Sequence, residues 1–237
     1  MPNPWFKFKQ FTIWHDKCAM KVGTDGVLLG AWVQPGEAQR MLDIGTGTGL
    51  LALMMAQKTK ALITAVDIDK RACSQANENA LKSPWPERIK VIYADFIEFA
   101  TQYSLYFDFI ICNPPYFKNS LPAPNESRTK ARHNTHLQLE SLLFHASGML
   151  TEKGKFALIL PAEDENFLLK IAKDNHLFPA RTMYVKPTPA HNPKRILLEL
   201  QKEKSHATYE TLVIEEQGRH QYSEAYKTLT RDFYLKF

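Results

Sequence analysis

The sequence predicts an α/β protein built on a doubly wound, mostly parallel sheet, and three observations carry that prediction. Short apolar runs of strand length alternate with segments of helical period from residue 40 to residue 201. One junction, "DIGTGTG", breaks a strand with glycines at every second position before a helical pattern resumes. Acidic residues close three successive strands, at Asp43, Asp67 and Asp95.

Taken in order, "RMLDI" is a strand from Arg40 to Ile44, and apolar residues return at helical spacing through Ala56. "ALITAVDID" is a second strand, and "DKRACSQANENALK" is a helix with Asp69 as its N-cap. "IKVIYADF" is the third strand. "FDFIICNPPY" is the fourth, and its unbroken apolar run predicts burial on both faces. A helix "LQLESLLFHASGML", a fifth strand "GKFALILP" and a helix "DENFLLKIAKDNH" follow. "ARTMYVKP" and "KRILLELQKE" read as two strands joined by "PTPAHNP", a hairpin-like pair at one sheet edge, and "YSEAYKTLTRDFYLKF" as a short amphipathic helix packed back on the domain. Right-handed crossovers between such units bring ligands to the carboxyl ends of the strands.

The 237 residues predict a single domain. A hydrophobic fraction of 44% with 23% charged residues is that of a globular chain. No stretch is apolar for long enough to span a bilayer, so a cytoplasmic protein without a membrane partner is expected. Cys18, Cys73 and Cys112 are odd in number and lack C-x-x-C spacing, which argues against a disulfide framework and a thiolate metal site. A net charge of +5 is compatible with a polyanionic partner without deciding for one.

The glycine loop defines a cofactor class. Gly45, Gly47 and Gly49 let the backbone turn with positive φ and let a ligand approach without an intervening Cβ. Their G-x-G-x-G spacing departs from the G-x-G-x-x-G that holds a dinucleotide pyrophosphate. S-adenosylmethionine, with a carboxylate, an amine and a sulfonium in place of phosphates, fits better. Asp43 suits its cationic amino group, Asp67 its ribose hydroxyls, and Asp95 its adenine amine, with Phe96 against the ring.

"NPPY", directly after the fourth strand, is a stiff, acceptor-rich corner. Pro114 and Pro115 fix two φ angles and remove two donors. The Asn113 side-chain oxygen and the Pro114 carbonyl can then accept both hydrogens of a planar NH2 group while Tyr116 stacks on the attached ring. Acceptors placed for a tetrahedral rather than a planar nitrogen favour the transition state of nitrogen methylation.

"DIGTGTG", "VDID", "YADF" and "NPPY", in this order, resemble the class I S-adenosylmethionine-dependent methyltransferases of amino and amide nitrogen, over residues 40 to 201. The resemblance implies a Rossmann-like, seven-stranded sheet with its last strand antiparallel. It also implies cofactor contacts from the glycine loop, Asp67 and Asp95, and target contacts from Asn113 to Tyr116. The corner alone leaves three targets open: adenine N6, a glutamine side-chain amide (N5) in a protein, and guanine N2 in ribosomal RNA.

The flanks "FKFKQFTIWHDKCAMKVGTDGVLLGAW", "TPAHNPKRILLEL" and "DFYLKF" resemble the bacterial tRNA(Val) adenine N6-methyltransferases, nearly end to end. That resemblance implies N6-methylation of an anticodon-loop adenine, position 37 of tRNA(Val). It implies an N-terminal segment, 1–39, folded over the cofactor with Lys21, Thr24 and Asp25 facing the site, before a sheet core at 40–201 and an extension at 202–237. Two basic segments, one with Arg128, Lys130, Arg132 and His133, the other with Lys186, His191, Lys194 and Arg195, are interleaved with Tyr116, Phe117 and Tyr184. Cations for phosphates and aromatics for an unstacked base suit a single-stranded RNA loop, so tRNA is the expected partner. Arg128, Lys130, Arg132, Lys194 and Arg195 are the expected phosphate contacts. His133 and His136 belong to this loop; no metal and no obligate protein partner are expected.

Overall fold

The computed structural model describes residues 3–18, 21–114 and 139–236. A small antiparallel hairpin, β1 (Trp5–Lys7) and β2 (Thr12–Trp14), leads to helix α1 (Thr24–Trp32). Then come β3 (Arg40–Ile44), α2 (Leu50–Lys58), β4 (Leu62–Asp67), α3 (Lys70–Leu81), β5 (Ile89–Tyr93), α4 (Phe96–Ala100) and β6 (Phe107–Cys112). Helix α5 (139–149) precedes β7 (Leu150–Pro161), α6 (Glu165–Asp174), β8 (Phe178–Lys186), β9 (Arg195–Gln201), β10 (Thr208–Val213) and α7 (Glu224–Thr230).

The main sheet runs β10-β8-β9-β7-β6-β3-β4-β5. All neighbours are parallel except β9, which is antiparallel to both β7 and β8. The order reverses between β3 and β6, which opens the crevice for a ligand at their carboxyl ends. Strand alternation divides the core into two layers: Phe109 and Ile111 enter one, Ile110 and Cys112 the other. All four are at most 3% exposed, which accounts for the unbroken apolar run of β6.

Seven strands form the expected sheet, and the structure adds an eighth. The β8–β9 pair is antiparallel as expected, but β9 sits inside the sheet between β7 and β8, and β10 forms the edge. Strand β10 escaped the sequence because Thr208 to Thr211 are all exposed and show no alternation; Leu212 alone is buried. Its backbone pairing with β8 in register Thr208↔Arg181 to Val213↔Lys186 holds it.

Helix α1, expected as cover, is core: Gly26 through Trp32 are buried. It packs beside α2 on one face of the sheet, α1 against β7 and α2 against β3, β4 and β5, and the α2 residues Leu50 to Ala56 are buried as well. The α1 C-terminal carbonyls of Gly30, Ala31 and Val33 accept hydrogen bonds from Lys58 Nζ, whose ammonium burial pulls down to a pKa of about 8. The terminal helix α7 is capped by Ser223 Oγ, which accepts from Tyr226 N at 3.0 Å, and it packs Tyr226 against the α1 layer.

Candidate active site

A cavity of about 650 Å³ opens at the carboxyl ends of β3, β4, β5 and β6, within the range that takes a small cofactor. The glycine loop forms one wall. Gly45, Gly47 and Gly49 have φ of 67°, 55° and 81°, so a side chain is strained at each. Gly45 N and Thr46 N donate to Val66 O at 2.8 and 3.1 Å, which folds the loop over the end of β4. Gly45 and Gly47 line the cavity; Gly49 does not. It starts α2 instead, where a Cβ would lie 3.3 Å from Ala76 of α3, so its smallness serves helix packing.

The three acids have distinct positions. Asp67 lines the cavity; its Oδ2 accepts from Gly47 N at 2.8 Å and its Oδ1 from Asp69 N at 2.9 Å. Each oxygen keeps a further lone pair for a ligand hydroxyl. Asp95 Oδ1 accepts from Ile97 N and Glu98 N at 2.8 and 3.2 Å, capping α4, and both Asp95 and Phe96 line the cavity. The Phe96 ring stands edge-on to His145 of α5 at 6.1 Å.

Asp43, expected to face the ligand amine, lies beneath the loop, outside the cavity lining. Its side chain is fully buried; Oδ2 accepts from Thr46 Oγ1 at 2.6 Å and Ala52 N at 3.1 Å, and Oδ1 has no partner. Burial pushes its pKa up to about 7, against the pull of those two hydrogen bonds. The placement follows from alternation: Leu42 and Ile44 point into one layer, and Asp43 is enclosed where α2 begins.

Asn113 supplies the feature that most marks the site. It lines the cavity, and its Oδ1 is buried without a hydrogen-bond partner among the described residues. An unpaired buried acceptor is costly unless a donor arrives from outside the chain. Its Nδ2 faces α1, 3.6 Å from where a Cβ on Gly26 would stand. Pro114 is half-buried beside it. Pro115, Tyr116, Phe117, Arg128, Lys130, Arg132, His133 and His136 lie outside the described residues.

Residues 20–165 match the family described as Methyltransferase small domain. The chain belongs to this methyltransferase family. At 48% identity over 100% of both chains it is similar to a protein of Parabacteroides distasonis named tRNA1(Val) (adenine(37)-N6)-methyltransferase. A protein of the same name from Bacteroides thetaiotaomicron is 47% identical over 99% of each chain. A solved structure, a predicted O-methyltransferase from Agrobacterium tumefaciens, superposes with a TM-score of 0.69 at 20% identity, covering 88% of this chain and 96% of that one; it supports the fold.

In this methyltransferase the N-terminal wall of the cavity consists of Lys21, Thr24 and Asp25 with their neighbours. Asp25 is not free to face a ligand with its whole carboxylate, because Oδ2 accepts from Arg195 Nε at 2.8 Å. Arg195, expected on RNA phosphates, is therefore drawn into an intramolecular pair at the start of β9. Lys194 next to it is exposed. Lys186 Nζ donates to Pro189 O at 2.8 Å and His191 Nδ1 meets Thr188 Oγ1 at 2.6 Å, so both shape the β8–β9 connection. Tyr184 donates its hydroxyl to Glu165 Oε1 at 2.6 Å.

Sequence reasoning missed Asn79. Its Nδ2 donates to Trp14 O and Thr48 O, both at 2.8 Å, and its Oδ1 accepts from Trp14 N at 3.0 Å, tying the N-terminal hairpin to the glycine loop. The available signal was a polar residue on the buried face of α3 with Ala72, Ala76 and Ala80. Cys18 also lines the cavity; half-burial and the nearby Asp67 and Asp69 charges push its thiol up to about 11, which leaves it a poor nucleophile. Among the described residues no His, Cys, Asp and Glu cluster could hold a metal, and no helix is long and apolar enough to cross a membrane.

Proposed function

We propose that this protein transfers the methyl group of S-adenosylmethionine to N6 of an adenine in the anticodon loop of a tRNA, adenine 37 of tRNA1(Val). The observation that carries the reading is the unpaired, buried Oδ1 of Asn113 at the cavity, an acceptor waiting for an external N–H donor. The names of relatives similar over the whole chain support adenine as the donor's ring, ahead of a protein glutamine amide or ribosomal guanine.

When bound, S-adenosylmethionine supplies an electrophilic methyl group on a sulfonium. The backbone of Gly45 and Gly47 lies against the cofactor, Asp67 accepts from its ribose hydroxyls, and Asp95 with Phe96 borders its adenine. Lys21, Thr24 and Asp25 close the opposite wall, and Asp43 holds the loop from beneath. Asn113 Oδ1 and the Pro114 carbonyl accept the two hydrogens of the target amine and favour its pyramidal form, so the nitrogen lone pair is released from the ring towards the methyl group. Tyr116 stacks on the extruded base and Pro115 stiffens the corner. The N-methylated cation is acidic, so water takes the proton.

Extrusion is cheapest from a single-stranded loop, which favours a tRNA loop over a duplex. Lys194 with Arg128, Lys130 and Arg132 meets backbone phosphates. We read 1–237 as one domain, with 1–39 over the cofactor, 40–201 as the sheet core and 202–237 as its extension, acting in the cytoplasm where tRNA is found. Nucleoside mass spectrometry of tRNA from cells with and without the gene tests the reading: N6-methyladenosine in tRNA should disappear with the gene. Its persistence, with loss of methylated glutamine in protein, would replace the reading by the amide alternative.

A further inference from the structure

Helix α1 is held at both ends by side chains from distant parts of the chain. At its C-terminal end Lys58 Nζ donates to three carbonyls. At its N-terminal end Asp25 Oδ2 accepts from Arg195 Nε at 2.8 Å across 170 positions of sequence. The side chains of Arg195 and Asp25 are 22% and 27% exposed, so water and salt screen the pair less than a surface pair. Arg195 Nη1 also donates to Lys194 O at 2.9 Å, which fixes the guanidinium plane on β9.

The residue after Asp25 meets the acceptor corner. A Cβ at Gly26 would stand 3.0 Å from Leu50 Cδ2, where α2 begins, and 3.6 Å from Asn113 Nδ2. The first turn of α1 is thus wedged between the end of the glycine loop and the asparagine. A shift of that turn moves the cavity wall and the surface behind Asn113 together.

We propose that Arg195 is a positioning residue for methyl transfer: its ion pair with Asp25 seats the first turn of α1 against Asn113 and so aims the Asn113 oxygen into the cavity. The inference rests on the reading of Asn113 as the acceptor for the target amine. It separates Arg195 from the phosphate contacts, because a guanidinium already joined to a carboxylate offers little net charge to RNA.

The test uses the full chain with Arg195→Ala, Asp25→Asn, both together, and Arg195→Lys. Calorimetry with S-adenosylmethionine is run without RNA, and kcat and KM for tRNA are measured at several salt concentrations. Each single change should weaken cofactor binding and lower kcat on the order of tenfold, and the double change should be no worse than either, as for two partners of one contact. Arg195→Lys should fall between, and KM for tRNA and its salt slope should stay as in the unaltered protein. If Arg195→Ala does not fold, Arg195→Lys against Asp25→Asn carries the same comparison.

The proposal is overturned if Arg195→Ala raises KM for tRNA and flattens its salt dependence while Asp25→Asn does neither, since that is the behaviour of a phosphate contact. It is also overturned if both single variants bind and turn over normally, or if their losses add. Should the unaltered protein methylate no tRNA, the functional reading fails separately. The cofactor calorimetry then decides on the pair alone, with equal, non-additive losses for it and unchanged affinities against it.

Discussion

Asp67 Oδ2 accepts the backbone N–H of Gly47 at 2.8 Å, so the carboxylate that borders the cavity also sets the shape of the glycine loop. One side chain thereby links the end of β4 to the loop after β3. Asp67→Asn keeps the shape but replaces one acceptor with a donor facing an N–H, at Gly47 or Asp69. Affinity for S-adenosylmethionine should fall by about tenfold, in line with the cost of an unmatched polar group at a half-buried position. Calorimetry reads this directly, and unaltered affinity would separate Asp67 from the cofactor.

Gly47 has φ of 55°, a conformation that costs an L-residue about 1–2 kcal/mol and a β-branched one more. Gly47→Val should therefore reshape the loop and abolish cofactor binding, while the fold, carried by the two core layers, persists. Circular dichroism with calorimetry checks both halves; a variant that binds normally would show that the backbone approach at Gly47 is not used.

Asn113→Ala should lower kcat by ~10²-fold or more, the usual effect of removing a transition-state hydrogen bond, with cofactor affinity nearly unchanged. Tyr116→Phe should retain most activity because stacking needs the ring, whereas Tyr116→Ala should weaken capture of the base. Single-turnover methyl transfer measures these, and a fully active Asn113→Ala would remove the corner from the mechanism.

Asp43 predicts a pH dependence of stability. Its pKa rises from an ordinary value of 3.8 to about 7 on burial, so the folded state binds the extra proton between those values. The stabilisation is present in full below about pH 4 and is lost as pH rises towards 7, with an upper bound of about 4 kcal/mol at 1.36 kcal/mol per unit. Urea unfolding from pH 4 to 8 should show this slope in the unaltered protein relative to Asp43→Asn. Parallel profiles would contradict it.

Much of the fold was legible because the chemistry was periodic. The strands β3 to β9 and the helices α2, α3, α5 and α6 announced themselves by apolar spacing, and Asp67 and Asn113 by standing where strands end; the five-residue α4 is too short to show a period, and Asp95, read as the end of the third strand, is its N-cap two residues beyond β5. What stayed hidden lacked such a pattern. Strand β10 is held by backbone pairing with four exposed residues in a row. The Arg195–Asp25 pair joins positions 170 apart, and no local signal separates an arginine that meets a carboxylate from one that meets a phosphate. Asp43 was seen as an acid at a strand end, but its enclosure depends on α2 closing over it.

The central claim is that an adenine amine of the anticodon loop docks on Asn113 beside S-adenosylmethionine. Its most direct test is transfer of labelled methyl to two tRNA1(Val) transcripts, one with adenine at position 37 and one with guanine there, followed by nucleoside analysis. Label should appear as N6-methyladenosine in the first transcript and be absent from the second. Equal labelling of both, label in guanine, or label in protein glutamine with none in either transcript would contradict the account.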